Sequence, residues 1–117
     1  VCGHYGCGGV KAAMSSRDFK PVLNMWLRNI IDVYHIYRDA LDKIENEEER
    51  TDRLVELNVI EQVTHLAQTS IIQRAWQKNN CPYLHGWVYG LKDGLIKPLL
   101  DMPPGSYIDP LYTYEDL

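Results

Sequence analysis

The first nine residues, VCGHYGCGG, constrain the fold of this chain more than any other segment. Glycine stands at positions 3, 6, 8 and 9, and this density of glycine permits tight turns and a close approach of the main chain to a bound group. His4 and Cys7 lie in the same segment in an H-x-x-C arrangement. At this spacing an imidazole nitrogen and a thiolate can converge on one ion, and both are preferred ligands of zinc. The segment therefore predicts a turn that presents His4 and Cys7 to a metal.

Two other interpretations of this segment stay open from the residues alone. A glycine-rich loop at the start of a helix can bind phosphate, and Lys11 is suitably placed for that role. The segment does not match the G-x-x-x-x-G-K-[ST] pattern, however. Two ligands do not hold zinc by themselves, so the histidine and the cysteine can also be a packed or exposed pair.

Composition narrows the class of protein. The 117 residues are 45% hydrophobic and 24% charged, as in an ordinary globular domain or a piece of one. The net charge of -4 gives no general attraction to nucleic acid or to an anionic membrane, and no apolar run reaches the roughly 18 residues of a membrane span. We expect a small-molecule substrate and neither nucleic acid nor membrane as a partner.

The cysteine count bears on the compartment. Three cysteines are an odd number, and no secretory signal is visible in the chain, so thiol or metal chemistry is favoured over a disulfide framework. This combination predicts a reducing compartment, either the cytoplasm or the interior of an organelle.

The middle of the chain has the periodicity of helices. A helical turn is expected over 10–14, followed by a longer helix that begins near Asp18 and Pro21. The charged run 45–53 predicts a solvated helix start because its acidic residues come first. The helical pattern is expected to continue over 54–67, and a further short helix is expected over about 71–79. Apolar residues at intervals of three and four predict one buried stripe on the longer helix: Val22, Met25, Trp26, Ile30, Val33, Tyr37, Leu41 and Ile44.

The last third of the chain has the character of strands and then of a tail. Residues 83–89 are rich in aromatic and branched side chains and predict a strand. A turn at 92–94 and a second strand over 95–100, antiparallel to the first, are expected to follow. Several prolines predict an extended tail over 101–117 that runs along the surface. Its expected anchors are Tyr107, Leu111, Tyr112 and Tyr114.

Four motifs, in order, resemble those of the β-class carbonic anhydrases. The segment CGHYGCGGV followed by KAA resembles the family's second zinc-ligand motif. The pattern N-x-W-L-x-x-I-x-D begins at Asn24, ELNVIEQV begins at Glu56, and LHGWVY begins at Leu84, with Asp93-Gly94-Leu95 after it. The resemblance covers roughly residues 1–100, and four motifs in the right order are far more specific than one.

The resemblance implies an α/β fold. Its central sheet is expected to be mostly parallel, flanked by helices, with an antiparallel edge strand. Residues 1–100 would be the C-terminal part of the domain and 101–117 a tail. The family's first motif, C-x-D-x-R, would precede residue 1, so the N-terminal strands are expected to be missing from this chain. Members of the family form homodimers and often tetramers.

The resemblance also implies an activity and a set of site residues. The family hydrates carbon dioxide reversibly to bicarbonate with a zinc-bound hydroxide. Two cysteines and one histidine bind its Zn²⁺, and here His4 and Cys7 match two of these ligands. Gly8 and Gly9 would line the substrate pocket, although packing of a helix on the sheet explains them equally well. Tyr89 matches a tyrosine of a bicarbonate pocket in some bacterial relatives, and a packed aromatic is the structural alternative.

The remaining candidate residues have structural interpretations. Cys2 is expected to be a buried thiol that points away from His4, and Cys81 to be structural. Asn58 and Gln62 are expected to be ordinary helix amides, and His85 a strand histidine held by hydrogen bonds. His35 and His65 are expected to be structural or exposed.

Two other functions are compatible with the same motifs. A hydrolase of carbon disulfide or carbonyl sulfide would use the same zinc hydroxide. A non-catalytic assembly subunit would keep the fold without the first ligand motif.

Overall fold

The computed structural model describes all residues, 1–117, as nine elements of secondary structure. Helices and strands occur in the order that the sequence predicts for an α/β fold. The elements are β1 (Cys2–His4), α1 (Gly8–Ala13), α2 (Pro21–Ile36), α3 (Arg38–Asp42), α4 (Glu47–Ala67), α5 (Ser70–Asn79), β2 (Leu84–Tyr89), β3 (Ile96–Met102) and a 3₁₀ turn (Pro110–Tyr112).

The three strands form one mixed sheet in the order β1-β2-β3. β1 pairs with β2 in parallel, with His4 opposite Tyr89, and β2 pairs with β3 in antiparallel fashion, with Tyr89 opposite Ile96. The predicted parallel pair with an antiparallel edge strand is thereby confirmed. β3 continues to Met102, beyond its expected end, and it accommodates Pro98 because an edge strand has no further neighbour to pair with.

Helix α4 packs directly on one face of the sheet, and two glycines make the close approach possible. A Cβ atom at Gly3 would lie 2.7 Å from Val59 Cγ2, and one at Gly86 would lie 2.9 Å from Val63 Cγ2. Any larger side chain would force the sheet away from the helix. This interface is the centre of a hydrophobic core whose largest fully buried side chains are Leu41, Leu54, Val63 and Val88.

The buried stripe predicted for α2 is wrong at its start. Val22, Met25 and Trp26 are 85%, 75% and 58% exposed, whereas Leu27 is buried together with Ile30 and Val33. The helix also ends at Ile36, and Leu41 lies on the separate helix α3. A period of three and four allows two adjacent faces near the helix start, and packing against α1 and α4 selected the face with Leu27.

The remaining helix boundaries agree with the sequence. Asn46 caps α4, since its side chain accepts a hydrogen bond of 3.0 Å from the backbone N–H of Glu49. α5 ends at Asn79, and Asn80 adopts a left-handed conformation with φ of 53°. None of the helices combines the length and the apolar character that a membrane crossing requires.

The tail is held by a glutamine rather than by the predicted aromatic side chains. Tyr107 and Leu111 are among the most exposed residues of the chain, and Tyr112 and Tyr114 are exposed as well. The buried Gln73 of α5 donates from Nε2 to the carbonyl of Tyr112 at 2.9 Å and accepts from the N–H of Tyr114 at 3.0 Å. A side-chain amide can bond both a carbonyl and an N–H of a neighbouring main-chain segment because it has both a donor and an acceptor.

Candidate metal site

His4 ends β1, and its ring is oriented by the next residue. Its Nδ1 lies 2.9 Å from the carbonyl oxygen of Tyr5. A carbonyl can only accept, so Nδ1 carries the proton. The neutral ring then has its lone pair on Nε2, the form in which histidine binds a metal. A main-chain carbonyl thus selects the metal-binding tautomer of His4.

Cys7 stands immediately before α1, where its backbone is extended and its carbonyl accepts from the N–H of Lys11 at 3.1 Å. Gly6 adopts a φ of +70° between the two candidate ligands, a conformation that a side chain would oppose. A Cβ atom at Gly9 would lie 3.2 Å from the Trp26 ring and 3.7 Å from Cys7 Sγ. The turn that the glycine-rich sequence predicts is therefore present, and it places the half-buried thiol of Cys7 close to an indole.

His4 and Cys7 line the same cleft, which has a volume of about 330 Å³. The cleft lies at the edge of β1 that pairs with no strand in this chain, between that edge and helices α2 and α4. Its walls combine apolar side chains with three amides. The lining residues are Cys2, Gly3, His4, Cys7, Val10, Trp26, Asn29, Ile30, Val55, Asn58, Val59 and Gln62.

The predictions for Cys2 are wrong. The residue is exposed, and it lines the cleft together with His4. In a strand the side chains of residues i and i+2 lie on the same face, so Cys2 and His4 project to the same side of β1. Cys2 nevertheless does not complete a metal site, because the chain contains no group of three or more His, Cys, Asp or Glu side chains placed to hold an ion.

The donors that are present fit zinc as two of its ligands. One is an imidazole with a free Nε2, and the other is a thiol without a hydrogen-bond partner in α1. Zinc in a catalytic site takes three protein ligands. The chain therefore offers an incomplete but chemically suitable donor set.

A network around Glu56 lies behind the turn and was not anticipated from the sequence. Tyr5 donates its hydroxyl to Glu56 Oε2 at 2.6 Å, Lys97 Nζ lies 2.9 Å from the same oxygen, and Arg53 Nη1 lies 3.3 Å from Oε1. Burial raises the pKa of Glu56, but these three hydrogen bonds outweigh it and hold the pKa below the ordinary value of 4.5. Burial and the Glu56 carboxylate raise the pKa of Tyr5, while Glu56 raises the pKa of Lys97.

One sequence signal could have revealed this network. Glu56 stands in the otherwise apolar run from Leu54 to Leu57, which predicts a buried side of the helix. A carboxylate in such surroundings needs partners, because an unpaired buried charge is very costly. The partners Tyr5 and Lys97, which are distant in sequence, were not predictable in the same way.

The other predicted site residues lie outside the cleft wall. Gly8 and Gly9 belong to the first turn of α1 but are not among the residues that line the cleft. Tyr89 is a partly exposed residue at the end of β2, opposite His4 in the sheet register.

Asn58 and Gln62, expected to be ordinary helix amides, do line the cleft, and Gln62 Nε2 donates to Asn58 Oδ1 at 3.3 Å.

The remaining histidines lie away from this cleft. His85 Nδ1 is 2.7 Å from Asp101 Oδ1, and its ring stacks on Tyr83 with centroids 4.7 Å apart. The prediction of a strand histidine held by hydrogen bonds is thus correct. His35 and His65 are exposed on α2 and α4.

Comparison with known proteins agrees with this fold and with the four motifs. The sequence model of the carbonic anhydrase family matches residues 1–96. A carbonic anhydrase of Emericella nidulans is 52% identical over 104 residues, which are 88% of this chain and 45% of that protein. The chain thus spans less than half the length of this relative.

Solved structures give the same result. A Coccomyxa β-carbonic anhydrase in complex with acetazolamide superposes with a TM-score of 0.81 at 32% identity, covering 88% of this chain and 47% of the other. A tetrameric β-carbonic anhydrase of Sordaria macrospora superposes with a TM-score of 0.78 at 33% identity, covering 84% of this chain and 49% of the other. On sequence and fold together, the chain belongs to the β-carbonic anhydrase family.

Proposed function

We propose that His4 and Cys7 are two ligands of a zinc site at which this protein hydrates carbon dioxide reversibly to bicarbonate. One observation carries the proposal: His4, with its Nδ1 proton committed to the Tyr5 carbonyl, lines the same cleft as Cys7. The relative from Emericella nidulans is named a carbonic anhydrase, which favours this activity over hydrolysis of carbon disulfide or carbonyl sulfide. Zinc bound there would supply Lewis acidity, which makes water a sufficient nucleophile near neutral pH.

The side chains of the cleft have separate roles in this proposal. His4 would bind through Nε2 in the tautomer that Tyr5 imposes, and Cys7 would bind as the thiolate, because a coordinating thiol is deprotonated. The apolar wall, which includes Trp26 and Val59, would suit a small apolar substrate. The amide pair of Asn58 and Gln62 would offer polar atoms to the more polar product.

The site needs a further protein ligand that residues 1–117 do not supply in this arrangement. We infer that this ligand comes from another segment, which would approach the open edge of β1 where the cleft lies. The Sordaria macrospora structure is named a tetramer, and we propose that this protein also assembles from several copies. We expect it to act in the interior of a cell or organelle.

The proposal is tested by zinc content and carbon dioxide hydration, measured on the protein as its organism makes it. His4→Ala and Cys7→Ser should each remove zinc and activity together. The matched controls are His85→Ala and Cys81→Ser, which change a half-buried histidine and an exposed cysteine outside the cleft. Zinc retained at one ion per chain in both ligand variants, with activity intact, would refute the proposal.

A further inference from the structure

Tyr5, which lies with Gly6 between the two candidate ligands, forms a hydrogen bond at each of its polar atoms. The Tyr5 hydroxyl donates to Glu56, its N–H donates to the Tyr89 carbonyl at 3.1 Å, and its carbonyl accepts from His4 Nδ1 at 2.9 Å. Tyr5 therefore connects the His4 ring to helix α4 and to strand β2. Any movement of Tyr5 would also move the carbonyl that orients His4.

Glu56 is the fixed end of this connection. Its side chain is only 10% exposed, and it sits in the middle of the 21-residue helix that forms the centre of the core. Lys97 from β3 donates to Oε2, as Tyr5 does, and Arg53 from α4 donates to Oε1. A carboxylate that accepts from three donors has little freedom to move, and its bond to a tyrosine hydroxyl is charge-assisted and strong.

Resting on the zinc site proposed above, we propose that Glu56 and Tyr5 are positioning residues that hold His4 and Cys7 in metal-binding geometry. Zinc ligands must lie within about 0.2 Å of their ideal distances. The segment between the ligands contains Gly6, whose backbone is permissive, so the turn needs an external anchor to stay in one conformation. The Tyr5 hydroxyl on Glu56 is the only side-chain hydrogen bond that joins this turn to α4.

The chain offers a closely matched control. Tyr37 donates its hydroxyl to Glu61 Oε1 at 2.9 Å, so it is also a half-buried tyrosine bonded to a glutamate of α4. Neither Tyr37 nor Glu61 lines the cleft, and neither forms a hydrogen bond with His4 or Cys7. Tyr5→Phe and Tyr37→Phe therefore each remove a hydroxyl that donates to a glutamate of α4, but only the first substitution acts next to the ligands.

The experiment compares Tyr5→Phe, Glu56→Gln and Tyr37→Phe with the wild type, all in the protein as its organism makes it. Zinc affinity is measured by competition with a chelator, and ligand geometry by the absorption spectrum of the cobalt(II)-loaded protein. Without metal, the alkylation rate of Cys7 is followed by mass spectrometry. The loss of a residue that orients a metal ligand typically costs about 10- to 100-fold in metal affinity.

We expect Tyr5→Phe and Glu56→Gln to lower zinc affinity within that range, to change the cobalt spectrum and to raise the alkylation rate of Cys7. Tyr37→Phe should leave all three at wild-type values, even where its thermal stability falls as much as that of Tyr5→Phe. Wild-type zinc affinity and Cys7 alkylation in Tyr5→Phe would overturn the positioning role. Absence of zinc from the wild type would instead overturn the proposed function, and the metal-free alkylation rates would still decide whether Tyr5 and Glu56 hold the turn.

Discussion

The contact between β1 and α4 makes the effect of Gly3→Ala calculable. The new Cβ would lie 2.7 Å from Val59 Cγ2, well inside the 3.4 Å at which ordinary contact begins. Val59 is 3% exposed, and a β-branched side chain in a helix has essentially one rotamer, so it cannot turn away. The strand must therefore shift. Such overpacking costs about 1–3 kcal/mol, and alanine recovers about 0.4–1 kcal/mol through the unfolded state.

We expect Gly3→Ala to lower the free energy of unfolding by about 1–2 kcal/mol, measured by urea denaturation with unchanged m value. For a chain of this size the melting temperature should fall by about 4–8 °C. Gly8→Ala is the control, because a Cβ there meets nothing within 4 Å and alanine favours the helix. It should be neutral or stabilise by up to about 1 kcal/mol.

A second substitution tests the cause. Val59→Ala in the wild type should cost about 2 kcal/mol, since it removes two buried methyl groups. In the Gly3→Ala background, Val59→Ala also relieves the clash. The free energy of unfolding of the double variant should therefore exceed the value expected from adding the two single losses by about 1 kcal/mol or more. Strictly additive losses, or a Gly3→Ala variant as stable as the wild type, would refute the packing argument.

Three further substitutions test other parts of the fold. The pKa of Glu56 is held below 4.5 in the folded chain, so its charge stabilises the fold fully at pH values above 4.5, and this stabilisation is lost as the pH falls through the lower pKa of the folded chain. In urea titrations at a series of pH values, Glu56→Gln should therefore lose less stability than the wild type between neutral and acidic pH. Gln73→Ala leaves the tail main chain without its two partners, so limited proteolysis should cut near Tyr112 and Tyr114 much faster than in the wild type. Asn46→Ala removes the cap of α4 and should cost about 1 kcal/mol in thermal denaturation, with no change in zinc content.

The agreement between sequence and structure is best where the signal is local. The pair of His4 and Cys7, the turn at Gly6 and the helix start at Pro21 depend on neighbouring residues, and all are present. The strand at 84–89 is likewise local, since a run of aromatic and branched residues favours extended backbone. The spacing of His4 and Cys7 predicts a metal pair but leaves a phosphate loop open, and the resemblance of four motifs favours zinc.

The errors have equally physical causes. The periodicity of α2 admits two neighbouring faces at its start, and only contact with α1 and α4 decided that Leu27 is buried and Trp26 exposed. The predicted orientation of Cys2 is wrong because side chains two residues apart in a strand share a face, so Cys2 and His4 lie on the same side of β1. The predicted tail anchors are exposed because the tail is fixed through its main chain, by the amide of the buried Gln73, rather than through its own side chains.

By itself the sequence determined the order of helices and strands and the two zinc-type donors on one glycine-rich turn, because backbone preference and ligand spacing are properties of adjacent residues. Only the tertiary structure decided that this turn is joined through Tyr5 to Glu56, and that Asn58 and Gln62 share a cleft with His4. Those contacts join positions more than 50 residues apart in the chain. They depend on how the sheet packs on α4, and no local pattern encodes that distance.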